Sequence, residues 1–255
     1  MAVLAGPWRR FGRRRVDPEA TMTLAEHLAE LRRRLIVAMA AVAAGALVAF
    51  FFYPSILRFF VHPYCAVVGP HRPCTLFVTG PLDGLSIRLK VATWGGLVLA
   101  LPVVLWELWR FVTPGLHPHE KRYSLPFVLA SLVFFGLGSF AAWETFPHAL
   151  RFLTAVGGPT LQTIYSPASY LRLIVLLMAV FGAAFEFPVL LVFLQVARVV
   201  SPRTLAHHRR WAIVAIFAFA AIVTPSSDPF SMLALAIPLA VFYEGAILVG
   251  RVLKR

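Results

Sequence analysis

Acidic residues are scarce in this 255-residue chain: 11 Asp and Glu stand against 24 Lys and Arg, and charged residues of both signs make up only 14%. An ordinary soluble domain carries roughly 25% charged residues. Too little charge is present to coat a water-exposed globule of this length. Cysteine is nearly absent, at two residues, which excludes a disulfide-rich scaffold and a multi-cysteine metal centre. Enzyme signatures are missing as well. No Walker A or GxGxxG run occurs, His119-Glu120 lacks a second His four residues after the first, and Gly136-x-Gly138-Ser139 has no closing Gly for a nucleophile elbow. The adjacent His207-His208 reads as part of a basic loop, not a metal site. No catalytic activity, metal or cofactor is expected.

What the chain has in abundance is apolar surface. Sixty per cent of it is apolar, with 22 Phe and 6 Trp, and the mean hydropathy is +0.79. A globule of this size has no means of hiding so much apolar side chain from water, so lipid is the expected solvent. The formal charge of +13 would suggest nucleic acid on a soluble protein. Here the basic residues avoid the apolar runs and gather between them, which is how a polytopic membrane protein orients itself. No nucleic-acid partner is expected.

The runs predict an all-α integral membrane protein with six transmembrane helices. Leu35 to Tyr53 is uncharged and ends at Pro54; Val91 to Trp106 continues a pattern begun near Ile87; Leu125 to Trp143 is again uncharged. Leu173 to Ala197 is apolar except for Glu186 and Gln195, with a kink expected at Pro188. Trp211 to Val223 and Met232 to Tyr243 flank the breaker Thr224-Pro225-Ser226-Ser227-Asp228-Pro229 and predict two short last helices. Residues 1–23 read as a basic N-terminal extension, 24–250 as the membrane domain and 251–255 as a basic tail. Trp8-Arg9-Arg10-Phe11 only superficially resembles a signal sequence, since the first apolar run starts at Leu35.

Six spans put both termini on one side. The segments on that side carry 18 of the 24 Lys and Arg, so the positive-inside rule makes both termini cytoplasmic. Cys65 and Cys74 then share the long first external loop, where a disulfide and two free thiols both remain open, because spacing alone does not establish the geometry.

Four acids stand out by position. Glu186, in Phe185-Glu186-Phe187-Pro188, lies inside the fourth span, where a carboxylate is costly and is structural or functional by default. Glu244 lies toward the cytoplasmic half of the last span, and structure and function weigh equally for it. Leu24, His27-Leu28, Leu31 and Leu35 repeat at helical spacing before the first span, so this stretch is expected to lie as a helix along the membrane surface. Its Glu30 is either a simple partner for Arg34 one turn on or a binding carboxylate. Glu120 is the acid of the basic loop after the second span; it suits bidentate binding of a guanidinium or charging of a helix N-terminus equally well.

His27-Leu28-Ala29-Glu30-Leu31-Arg32-Arg33-Arg34-Leu35 resembles the HLxELRxRL segment of TatC, the multispanning receptor subunit of the twin-arginine protein translocase. Further matching segments follow in family order: Pro102 through Phe111 with Pro114-Gly115-Leu116 and His119-Glu120-Lys121-Arg122; Phe181-Gly182 through Pro188; Thr224-Pro225 through Asp228; and Ala236-Ile237-Pro238 through Glu244. The resemblance covers about Leu24 to Gly250. It implies capture of twin-arginine signal peptides of folded cargo at the cytoplasmic face, with transport driven by the proton gradient through the assembled complex. The recognising carboxylates of the family fall on Glu30 and Glu120, with Arg32, Phe111 and Pro114 in the same motifs. Glu186 falls on the intramembrane glutamate associated with docking of TatA or TatB single-span subunits, and Asp228 on the acid of the last external loop. Self-association and residence in the cytoplasmic membrane of a bacterium are implied too. Glu107 departs from the pattern, since Gln is common there; it either joins the arginine site or pairs with Arg110. The competing reading is a proton-coupled small-solute transporter using Glu186, although the first three spans show no repeat of the last three.

Overall fold

A computed structural model describes residues 24–68, 76–78, 80–112, 124–158, 166–224 and 228–252. These residues form nine helices and no strand: α1 (Leu24–Phe51), α2 (Tyr53–Val68), α3 (Asp83–Val112), α4 (Ser124–Val156), α5 (Pro167–Ala184), α6 (Glu186–Val196), α7 (Pro202–His207), α8 (Arg209–Val223) and α9 (Pro229–Val252). Five segments are long and apolar enough to cross a membrane: Ala25–Phe51, Asp83–Phe111, Leu125–Val156, Pro167–Val196 and Pro229–Val252. The remaining apolar helix, α8, has 15 residues, about 22 Å at 1.5 Å per residue. Apolar side chains point outward as well as inward; Leu47 is 68% and Ile222 82% exposed. That distribution is stable only against hydrocarbon.

Several boundaries differ from the sequence expectation, each for a local reason. The amphipathic approach is not a helix of its own. It is the first part of an unbroken 28-residue α1, because no Pro or Gly occurs between Leu24 and Ala44 to bend it. The last helix is not short: α9 has 24 residues and continues through Pro238 and past Glu244. A proline inside a membrane helix is tolerated when neighbouring helices support the backbone around it, and Leu235, Ala236 and Leu239 beside Pro238 are fully packed. The fourth run is interrupted where expected, yet one turn before Pro188. Phe185 separates α5 from α6 and donates its N–H to the Phe181 carbonyl at 2.9 Å. The segment between α1 and α3 contains α2, begun with Pro54 in its first turn, a position where a missing N–H costs nothing.

The core lies where α4, α5 and α9 meet, filled by Phe146, Leu150, Ile174, Leu177, Phe181, Leu235 and Leu239. Tyr170 ties α5 to α2 by donating its hydroxyl to the Phe60 carbonyl at 2.7 Å. Helix α1 stands outside this core and packs mainly on α3. Small residues permit that contact: a Cβ at Gly45 would lie 2.6 Å from the Gly96 carbonyl oxygen, so the two backbones nearly touch.

Candidate functional site

The close α1–α3 crossing fixes the spacing of the side chains further along both helices. The antiparallel pairing brings the first turns of α1 beside the last turns of α3. There Arg34 donates from Nε to Glu30 Oε1 at 3.1 Å and from Nη1 to Glu107 Oε2 at 3.0 Å, and its Nη2 also bonds Glu30 Oε1. One guanidinium thus bridges two carboxylates, one a helical turn away and one 73 residues distant. The side chains of Arg34, Glu30 and Glu107 are 15%, 21% and 16% exposed. Glu30 Oε2 is buried and accepts no hydrogen bond.

Around this triad is a polar cavity of about 150 Å3 lined by Glu30, Arg33, Arg34, Val37, Glu107 and Arg110. An apolar groove of about 160 Å3 adjoins it, with Leu31, Leu35, Val104, Leu108 and Phe111 along its walls. Phe111 stacks on His27 at 4.4 Å between ring centroids and so caps the helix pair. Two carboxylates and three guanidinium side chains thus meet beside an apolar wall.

Of the residues expected at the site, Glu30 and Phe111 are brought together here. Arg32 is exposed on α1 and is not among the side chains lining the cavity. Glu120 and Pro114 lie outside the described residues. The sequence reading left Glu107 undecided, and the structure pairs it with Arg34. Helical spacing places Glu107 and Phe111 on one face of α3, as it does His27, Glu30 and Arg34 on one face of α1, but the α1–α3 crossing decides that these faces meet.

The intramembrane acid occupies a second polar position. Glu186 opens α6 just after the Phe185 break, its Oε1 is buried without a partner, and the Ser131 hydroxyl of α4 is within hydrogen-bonding reach. Ser131 is fully buried and accepts from Trp109 Nε1 at 2.8 Å. Trp109 is clamped by Phe127 and Phe193, each at 5.0 Å. A line of polar atoms therefore runs from the end of α3 through α4 to Glu186.

The other expected positions have structural partners. Glu244 pairs with Arg209 at 2.9 Å, both side chains about two-fifths exposed. Asp228 is buried and accepts the Ser231 N–H on Oδ1 at 2.7 Å, which caps the start of α9. The sulfur of Cys65 is disulfide-bonded; Cys74, its expected partner, lies outside the described residues. One residue not expected as a contact is Gln195, buried on α6, whose Nε2 donates to the Ala246 carbonyl of α9 at 2.9 Å. Among the described residues no group of three His, Cys, Asp or Glu side chains is placed to hold a metal ion.

The family described as Sec-independent protein translocase protein (TatC) matches residues 26–238. The Sec-independent protein translocase protein TatC of Frankia casuarinae is 40% identical over 249 residues, covering 94% of this chain and 68% of that protein. The TatC protein of Aquifex aeolicus is 37% identical, covering 92% of this chain and 97% of that protein. A crystal structure described as twin arginine translocase receptor TatC superimposes with a TM-score of 0.72 at 36% identity, covering 90% of this chain and all of the other. The matched segment includes Glu30, Arg34, Glu107 and Glu186, and the chain belongs to the TatC family of Sec-independent protein translocase proteins.

Proposed function

We propose that this chain is the signal-peptide receptor of a twin-arginine translocase in the cytoplasmic membrane of a bacterium. It carries six spans, the short α8 being the fifth, with both termini on the cytoplasmic side where 18 of the 24 Lys and Arg fall. A span of about 22 Å is accommodated by local thinning of the bilayer. The receptor site lies at the cytoplasmic end of α1 and α3. Glu30 and Glu120 take the paired arginines of the signal peptide, with Arg32, Phe111 and Pro114 shaping the surface around them. The apolar groove along Leu31, Leu35 and Phe111 accepts the apolar part of the same peptide.

The observation that carries this reading is the Arg34 guanidinium held between Glu30 and Glu107. The carboxylates of this pocket hold a guanidinium by its planar set of N–H donors, and pairing of that kind favours Arg over Lys. Around Glu186 the single-span subunits TatA and TatB dock, copies of this chain associate, and the assembled complex uses the proton gradient. The protein itself catalyses no reaction and needs no cofactor.

The test is capture of a synthetic signal peptide with paired arginines by the purified chain. Glu30→Gln and Glu120→Gln each weaken capture on the order of tenfold, the size of one charge-assisted hydrogen bond. Undiminished capture by both variants refutes the site.

A further inference from the structure

Arg34 belongs to two carboxylates at once, and the sharing has a direction. Its Nε and Nη2 face Glu30 on its own helix, while Nη1 reaches Glu107 on α3 at 3.0 Å. One guanidinium set against two carboxylates leaves one negative charge in excess within the triad. The buried Glu30 Oε2, which accepts no hydrogen bond, shows where that excess is least satisfied. That oxygen is enclosed, so an arriving guanidinium reaches it only as Arg34 swings off Glu30 toward Glu107. It finds a second acceptor in Glu30 Oε1 when Arg34 lets go, and Arg34 then stays paired and partly buried because Glu107 still holds it.

We propose that Glu107 is a positioning residue of the arginine site, holding Arg34 as a resident guanidinium so that Glu30 is released to the arginine of an incoming peptide. The inference rests on the receptor reading above. Without the charge at 107, Arg34 has Glu30 as its sole carboxylate in the triad and competes with the ligand for it. Leaving a partly buried guanidinium unpaired is costly, so the competition then favours Arg34. Planar bidentate pairing to the two oxygens of Glu30 favours a guanidinium over a lysine ammonium.

The experiment measures binding of two fluorescent peptides, one with paired arginines and one with paired lysines, to the full purified chain in lipid nanodiscs. Glu107→Gln keeps side-chain size and weakens binding of the paired-arginine peptide on the order of tenfold, while the paired-lysine peptide changes less. Adding Arg34→Gln removes the competitor and restores arginine binding to within about threefold of the parent. A packing role for Glu107 would not give that rescue. Glu30→Gln, measured alongside, tests the receptor reading separately. If Glu30→Gln loses binding and Glu107→Gln does not, the inference is overturned and the receptor site stands. If the double variant stays weak, Glu107 acts through packing and the inference is likewise overturned. If Glu30→Gln binds as the parent does, the receptor reading fails and the inference with it.

Discussion

Replacing Gly96 with alanine adds one methyl group where α3 lies against α1, and the structure fixes the sign of the result. A Cβ at Gly96 falls 2.5 Å from Ala46 Cα and 2.8 Å from Ala46 Cβ, with Ala46 N in contact too. Carbon atoms pack comfortably at about 3.5–4.0 Å, so the helices must part by about 1 Å. The obstacle is backbone, and no change of rotamer relieves it. Overpacking of this kind costs about 1–3 kcal/mol, against a gain of up to about 1 kcal/mol in helix propensity for Gly→Ala. Gly136→Ala is the matched control, since a Cβ there meets nothing within 4 Å and only the propensity gain remains. Thermal unfolding in one detergent, followed by helical circular dichroism, compares them. For a chain of this size 1 kcal/mol moves the midpoint by about 2–4 °C. Gly96→Ala should melt about 2–8 °C below the parent, with Gly136→Ala at or slightly above it. Glu107 lies 11 residues further along α3, about 16 Å by helical rise, so parted helices also loosen the Arg34 bridge and weaken peptide capture. Equal midpoints for the two variants would refute the argument that backbone contact at this crossing limits the packing of α1.

Asp228→Ala removes the carboxylate that accepts the Ser231 N–H and should cost about 0.5–2 kcal/mol in thermal unfolding, with Asp228→Asn recovering most of it; an unchanged Asp228→Ala would show that the cap is dispensable. Arg209→Gln breaks an ion pair whose members are 44% and 39% exposed, so the loss should stay below about 1 kcal/mol and the melting midpoint should hardly move; a large drop would give Glu244 a structural weight that its exposure does not support.

The long apolar runs were legible because hydrophobicity and length alone specify a helix in lipid. The α2 helix was not, since Pro54, Arg58, His62 and Pro63 interrupt its sequence and its apolar face becomes visible only once Phe60 and Tyr64 pack on Tyr170. The extent of α9 was hidden by Glu244, where the uncharged run from Met232 to Tyr243 stops; the Arg209 pair lowers the cost that the carboxylate would carry alone. At the site, Glu30 and its i+4 relation to Arg34 could be read directly. The part played by Glu107 could not, because it depends on which face of α3 meets α1, and that is decided by Gly45 and Gly96 far from the acids themselves. Asp228 shows the opposite limit: a cap three residues before Ser231 is readable in sequence, yet family position drew attention to its loop instead.

The hydrogen bond from Gln195 to the Ala246 carbonyl closes one end of the bundle across 51 residues of chain. Its acceptor is main chain, and a Cβ at Gly250 would occupy the place of the Gln195 amide oxygen. The join is therefore made by the Gln195 side chain against α9 main chain, with Gly250 leaving room for it. During synthesis at roughly 5–20 residues per second, α6 waits several seconds for that carbonyl to be made. Over that interval the Gln195 amide has no α9 backbone to meet, so a nascent chain halted before α9 would lack this join between α6 and α9.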